Sequence, residues 1–264
     1  MPTLSDIAER LEQFAPKTLA EDWDNVGLLV GDTSWPIERV MTCLTVTPTT
    51  VQEALDQQAD LIVTHHPLPF QALKSITTDS TAGKLLLQLI GARIGIYSPH
   101  TAFDSAPVGI NQHLAIGLGL QQIEALIPTS ETGEADVGAG RMGSLGEEFS
   151  LLEMAERVKT FLGLERLQVV GDDNLVVSRA AIACGSGGSF LPAAIAKHCN
   201  CLITGETNLH TCLEAEARGV GLILPGHFAS ERFALLSLAE YLSDQVSDIK
   251  VWASQTECDP LRTV

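Results

Sequence analysis

Apolar positions along the chain follow two rhythms, a helical one and one of short continuous runs, and their alternation predicts an α/β protein. Leu4, Ile7, Leu11 and Phe14 lie on one helical stripe between Thr3 and Pro16, with Thr3 and Asp6 spaced as a capping box. Residues 40–48 (VMTCLTVTP) form a β-branched run suited to a buried strand, and VQEALDQQ after them predicts a helix. Residues 61–64 predict a strand that runs into His65-His66-Pro67. KLLLQLI predicts a buried helix ending at Gly91, and residues 94–97 a strand leading to Ser98-Pro99-His100. Beyond residue 150 the same alternation returns: a helix over 151–162, strands at RLQVV and VVSRAAIA, the helix LPAAIAKH, the strand CLIT, a helix near HTCLEAEARG, the strand GLIL, and a last helix to Leu242. Strands separated by helices argue for mostly parallel sheets.

Residues 123–148 turn to Gly, Ser, Thr and Glu (TSETGEADVGAGRMGSLGEE), which predicts an irregular connection. It places the boundary between two similar α/β lobes, residues 1–125 and 126–264. ALDQQADLIVTHH and AIAKHCNCLITGE echo each other as helix end, polar turn, strand and polar cluster, as two similar lobes would.

The chain holds 33 acidic and 16 basic residues, a net charge of −17, which argues against direct nucleic-acid binding because that depends on cationic side chains. Apolar residues make up 45% and charged ones 19%, a globular composition. The absence of a long apolar run, and an opening Met1-Pro2-Thr3-Leu4 without a signal-like region, lead us to expect a cytoplasmic protein with no membrane partner. Six dispersed cysteines read as reduced thiols; His198-Cys199-Asn200-Cys201 lacks the spacing of a zinc site.

The ionisable residues gather at predicted strand ends: His65 and His66, then His100 and Asp104, then Glu206, then His227. Ligands of open α/β sheets bind at such ends. Adjacent strand residues face opposite ways, so His65 and His66 reach one centre only where the strand departs, and Pro67 supplies a departure; the element suits a metal or a catalytic site. His227 and Glu231 stand at i, i+4 on one helical face, as a surface ion pair or a ligand pair. Three imidazoles with carboxylates suit zinc, manganese, iron or cobalt. Three histidines and two carboxylates exceed one tetrahedral set and fit two ions about 3.5–4 Å apart. His100 and Glu206 are candidate catalytic residues, read either as general bases or as hydrogen-bond partners that fix a ligand imidazole. The turn Cys184-Gly185-Ser186-Gly187-Gly188-Ser189 is open between a phosphate cradle and a tight turn, and Arg141 between a phosphate contact and a structural salt bridge.

EDWDNVGLLVGD, LIVTHHPLPF, YSPHTAFDSAPVGINQHLA, CLITGE and GHFASERFALLSLAEYL, in this order, resemble the Nif-three-like dinuclear-metal proteins, also catalogued as GTP cyclohydrolase I type 2 homologues. The resemblance implies that His65, His66, Asp104, His227 and Glu231 hold two divalent metal ions, with Glu231 bridging them. It also implies two similar lobes with the metals in the cleft, no inserted third domain, and a toroidal homohexamer. The function to expect is a metal-dependent hydrolase that activates water against a nucleotide or related small molecule, the family label pointing to ring-opening of GTP with release of formate. The alternative is a non-catalytic metal-binding regulatory or interaction protein.

Overall fold

The computed structural model describes residues 1–129, 137–246 and 248–262. The chain divides into two compact units, Met1–Phe103 with Ala234–Val264, and Asp104–Phe233.

In the first unit, helix α1 (Leu4–Phe14) starts at the capping box read above: Thr3 accepts from the Asp6 amide, and Asp6 accepts from the Thr3 amide. Its stripe Leu4, Ile7, Leu11 and Phe14 is buried. The sheet runs β1 (Gly27–Val30), β4 (Gly95–Ser98), β3 (Leu61–His66), β2 (Arg39–Thr45) and β11 (Lys250–Ala253); all neighbours are parallel except β1 against β4. Helix α2 (Pro48–Asp56) begins earlier than its apolar pattern suggested, because Thr47 caps it and Pro48 occupies its first turn, so β2 stops at Thr45. Helix α3 (Thr81–Gly91) is capped by Ser80 and buries Leu85, Leu86 and Leu89 in the core with Met41, Ile62 and Ile96.

The C-terminal strand is tied down by two carboxylates. Glu53 of α2, 8% exposed, accepts from Trp252 Nε1, the Ser254 hydroxyl, the Gln255 amide, and the amide and hydroxyl of Thr256. Burial works to raise its pKa, but the bonds from Ser254 and Thr256 prevail and hold it at about 2. Glu257 accepts from the amides of Leu44 and Thr45 at the end of β2. The boundary expected at residue 125 therefore does not coincide with this division. It falls inside strand β5 (Gln121–Pro128), and residues from 234 onward return to the first unit, because β11 completes its sheet beside β2.

The second unit holds α5 (Ile110–Gly117), α6 (Leu151–Leu162), α7 (Leu191–Ala196) and α8 (Leu209–Arg218) around a sheet ordered β5, β6 (Gly138–Ser150), β8 (Val176–Ala183), β9 (Cys201–Thr204), β10 (Gly221–Leu224) and β7 (Gln168–Val170). The glycine-rich stretch expected as an irregular connection is largely β5 and β6, the latter the longest strand described; residues 130–136 of that stretch lie outside the described residues. Its glycines serve close strand packing: a Cβ on Gly143 would lie 2.8 Å from the Gln121 carbonyl oxygen of the neighbouring strand.

The internal echo has a structural basis. In the first unit Asp60, just before β3, accepts from the amides of Glu38 and Arg39 at the start of β2. In the second, Asn200, just before β9, accepts from the amides of Ser178 and Arg179 at β8. Both turns contain a residue in the left-handed region, Gln58 at φ 53° and His198 at φ 58°. Both units thus carry three parallel strands, β2-β3-β4 and β8-β9-β10, each flanked by one antiparallel strand beside the last. No helix among the described residues is long and apolar enough to cross a membrane. No disulfide links the six cysteines among the described residues.

Candidate metal centre

In the first unit, parallel pairing with β2 continues to the last residue of β3, His66, which registers with Thr45. His65 is buried and its carbonyl accepts from the Ser98 hydroxyl at the end of β4. The next strand end delivers His100, the first residue of α4 (His100–Ser105). The donor atoms of His65, His66 and His100 lie within 4.8 Å of one another, and their ring centroids are 5.0 to 5.7 Å apart. The expectation that strand ends bring histidines together holds for these three.

Two residues without an assigned role in the sequence reading set the orientation of the rings. Asp24, in the EDWDN segment, accepts from His100 Nδ1 at 2.7 Å and from the amide and hydroxyl of Thr101. Thr45 Oγ1 lies 2.7 Å from His66 Nδ1. With Nδ1 engaged in each case, Nε2 is the nitrogen that His66 and His100 offer to a cation. The Asp24 side chain is 1% exposed, and burial works to raise its pKa; the bonds from His100 and Thr101 outweigh it and bring it to about 2. His100 itself sits at φ 27°, a region costly for a residue with a Cβ, and the bond to Asp24 helps hold it there.

In the second unit the residues are Asp104, Glu206, His227 and Glu231. Asp104 follows in α4, and its carbonyl accepts from Asn111 Nδ2. Asn111 Oδ1 in turn accepts from the Cys184 amide, tying the Asp104 segment to the glycine-rich turn. His227 and Glu231 open helix α9 (His227–Gln245), with His227 Nε2 3.2 Å from Glu231 Oε2 and His227 Nδ1 3.0 Å from Glu206 Oε1. The i, i+4 pair is therefore a contact in space, and Glu206 of the TGE motif joins it. The bond to Glu231 raises the His227 pKa against the opposing effect of burial, and Glu206 adds to it, to about 9. The Cys184 thiol is pushed up by burial and by the nearby Glu231 and Asp104 carboxylates.

The glycine-rich turn has a different use from a phosphate cradle. The Gly185 amide donates to Ser230 Oγ and the Gly187 amide to Thr204 Oγ1, so both are committed inside the unit. A Cβ on Gly185 would lie 2.1 Å from Glu231 Oε1 and 3.3 Å from His227 Nε2. The turn is tight so that backbone can lie against this pair. Arg141 is also removed from phosphate: it is fully buried and donates to Gln112 Oε1 and to the carbonyls of Ser105, Ala106, Gly138 and Gly140.

The donors suit a divalent cation. Three imidazoles whose donor atoms converge, one with a carboxylate behind its ring, are a nitrogen-rich donor set of the kind divalent cations take. Asp24→Asn is expected to weaken cation binding about 10–100-fold in chelator competition, with the circular dichroism spectrum unchanged. Since the Asp24 pKa is depressed below 3.8, its stabilising effect is complete above that value and is lost only as pH falls towards 2. Unchanged affinity in the variant would mean that the His100 ring needs no such support.

Residues 2–260 match the family described as Duf34/NIF3 (NGG1p interacting factor 3). The chain belongs to this family. A relative from Clostridium perfringens named GTP cyclohydrolase 1 type 2 homolog is 34% identical, covering 99% of each chain. The Protein NIF3 homolog of Schizosaccharomyces pombe is 33% identical over 98% of each. The crystal structure of a Bacillus cereus protein related to NIF3 superimposes with a TM-score of 0.91 at 25% identity, covering all of both chains. The two sheets described above are thus the fold of the NIF3 family.

Proposed function

We propose that this NIF3-family chain is a metal-dependent hydrolase acting on a nucleotide or a related small molecule. His65, His66, Asp104, His227 and Glu231 would hold two divalent cations, zinc, manganese or iron, with Glu231 shared. A divalent cation supplies Lewis acidity and makes water acidic enough to act near neutral pH. The protein's own groups do the rest. Asp24 keeps the proton of His100 on Nδ1, so Nε2 is the face on which His100 binds or accepts a proton. Glu206 keeps His227 turned through its Nδ1. The observation that carries this reading is the gathering of the His65, His66 and His100 donors at two strand ends. The name of the Clostridium relative, GTP cyclohydrolase 1 type 2 homolog, supports a GTP cyclohydrolase-like reaction. A cytoplasmic ring of six copies is the assembly in which we place it.

The test is formate release from GTP by protein loaded with zinc, manganese or iron, with Asp104→Ala and Glu231→Ala beside it. Turnover in the parent and its loss in both folded variants is the expected result. No formate from protein that holds about two ions per chain would overturn the cyclohydrolase reading. That outcome would favour the second reading, a non-catalytic metal-binding interaction protein, which the family's description as an interacting factor supports.

A further inference from the structure

Beside the three imidazoles stand two aromatic side chains that solvent reaches freely. Trp23 is 63% exposed and Phe70 51% exposed, although the chain has only three tryptophans and burying such rings is strongly favourable. Their centroids are 6.1 Å apart, and each ring meets His100 edge-on, at 6.1 Å for Trp23 and 5.9 Å for Phe70.

The exposure is built into the fold. Trp23 lies in the segment that Asp24 pins to His100 and Thr101, and the Glu21 amide on the same segment donates to Thr101 Oγ1. Phe70 ends the segment that follows His66, and Asn25 Nδ2 donates to the Pro69 carbonyl at 2.7 Å, joining the two segments. The bonds that orient a histidine therefore also hold two exposed aromatic rings next to it.

We propose that Trp23 and Phe70 form the binding face for a planar heteroaromatic ring of the purine class, presented to the imidazole cluster by stacking. This rests on the reading of that cluster as a reaction centre. A ring sandwiched between two aromatic planes needs about 7 Å between them, twice a carbon contact distance of about 3.5 Å. Trp23 and Phe70 are closer than that and inclined at 43°. The ligand ring therefore stacks on the exposed face of Trp23 and meets Phe70 with its edge, a pairing that aromatic quadrupoles favour. Stacking also gives a chain of net charge −17 a means of holding an anionic nucleotide that does not rely on its overall field.

The experiment is calorimetric titration of the full chain with guanosine 5′-monophosphate and with ribose 5-phosphate, which has the same sugar and phosphate but no aromatic ring. Trp23→Ala, Trp23→Phe and Phe70→Ala are measured alongside, with metal content and mass in solution recorded for each. Binding of the nucleotide in preference to ribose 5-phosphate, about tenfold weaker in Trp23→Ala and largely restored in Trp23→Phe, is the expected result. The same Trp23 dependence in protein that takes up no metal supports the stacking face while removing the metal reading. Equal binding of the two probes, no binding of either, or unchanged nucleotide affinity in Trp23→Ala overturns the proposal. A Trp23→Ala variant that changes only the mass in solution also overturns it, by assigning the face to contact between copies.

Discussion

Gly185→Ala is expected to abolish cation uptake at His227 and Glu231 and to lower stability by about 2–4 kcal/mol. Gly185 has φ 66°, where an L-residue with a Cβ is strained. The added methyl would also lie 2.1 Å from Glu231 Oε1. Neither side can retreat. The Gly185 amide is bonded to Ser230 Oγ, and its carbonyl accepts from the Glu206 amide and from Thr204 Oγ1. The Glu231 side chain is 5% exposed, so it has no open route into solvent. Metal analysis and thermal unfolding of the folded variant check both parts. A Gly185→Ala protein that binds cations as its parent does would mean that Glu231 is not a ligand or that the turn is softer than its hydrogen bonds imply.

Arg141→Met should be the most destabilising single change, by about 3–5 kcal/mol. The guanidinium is fully buried, and its donors are divided among Gln112 and four backbone carbonyls. Two of those carbonyls, Ser105 and Ala106, directly follow Asp104; the other two, Gly138 and Gly140, start β6. Methionine fills comparable volume but leaves these acceptors buried without donors. Arg141→Lys keeps the charge and loses the planar fork, so it should fall between the two. Denaturant titration of the three proteins gives the order. A methionine variant as stable as the parent would show that the carbonyls find other partners and that the arginine does not anchor the Asp104 segment.

The elements were legible wherever local spacing carries them. The capping box of α1, the apolar stripe behind it, and the strands at VVSRAAIA, CLIT and GLIL could all be read because neighbours a few residues apart dictate them. β6 was not, because its glycines look like loop residues until the tight packing against β5 explains them. β11 was missed because a short edge strand becomes a strand only beside β2. His65, His66, His227 and Glu231 stood out by chemical type and spacing. The roles of Asp24 and Thr45 did not, since Asp24 meets His100 across 76 positions and no periodicity links them.

The sequence alone therefore determined the alternating α/β pattern, the family and the kinds of donor atom available, all properties of residue type and short-range order. The tertiary structure decided which nitrogen of His66 and His100 is presented, that Gly185 is clearance for Glu231, that Arg141 is an internal anchor, and that Trp23 and Phe70 stand exposed beside the imidazoles. Those outcomes depend on contacts between distant segments, which exist only once the β-strands have paired and brought their ends together.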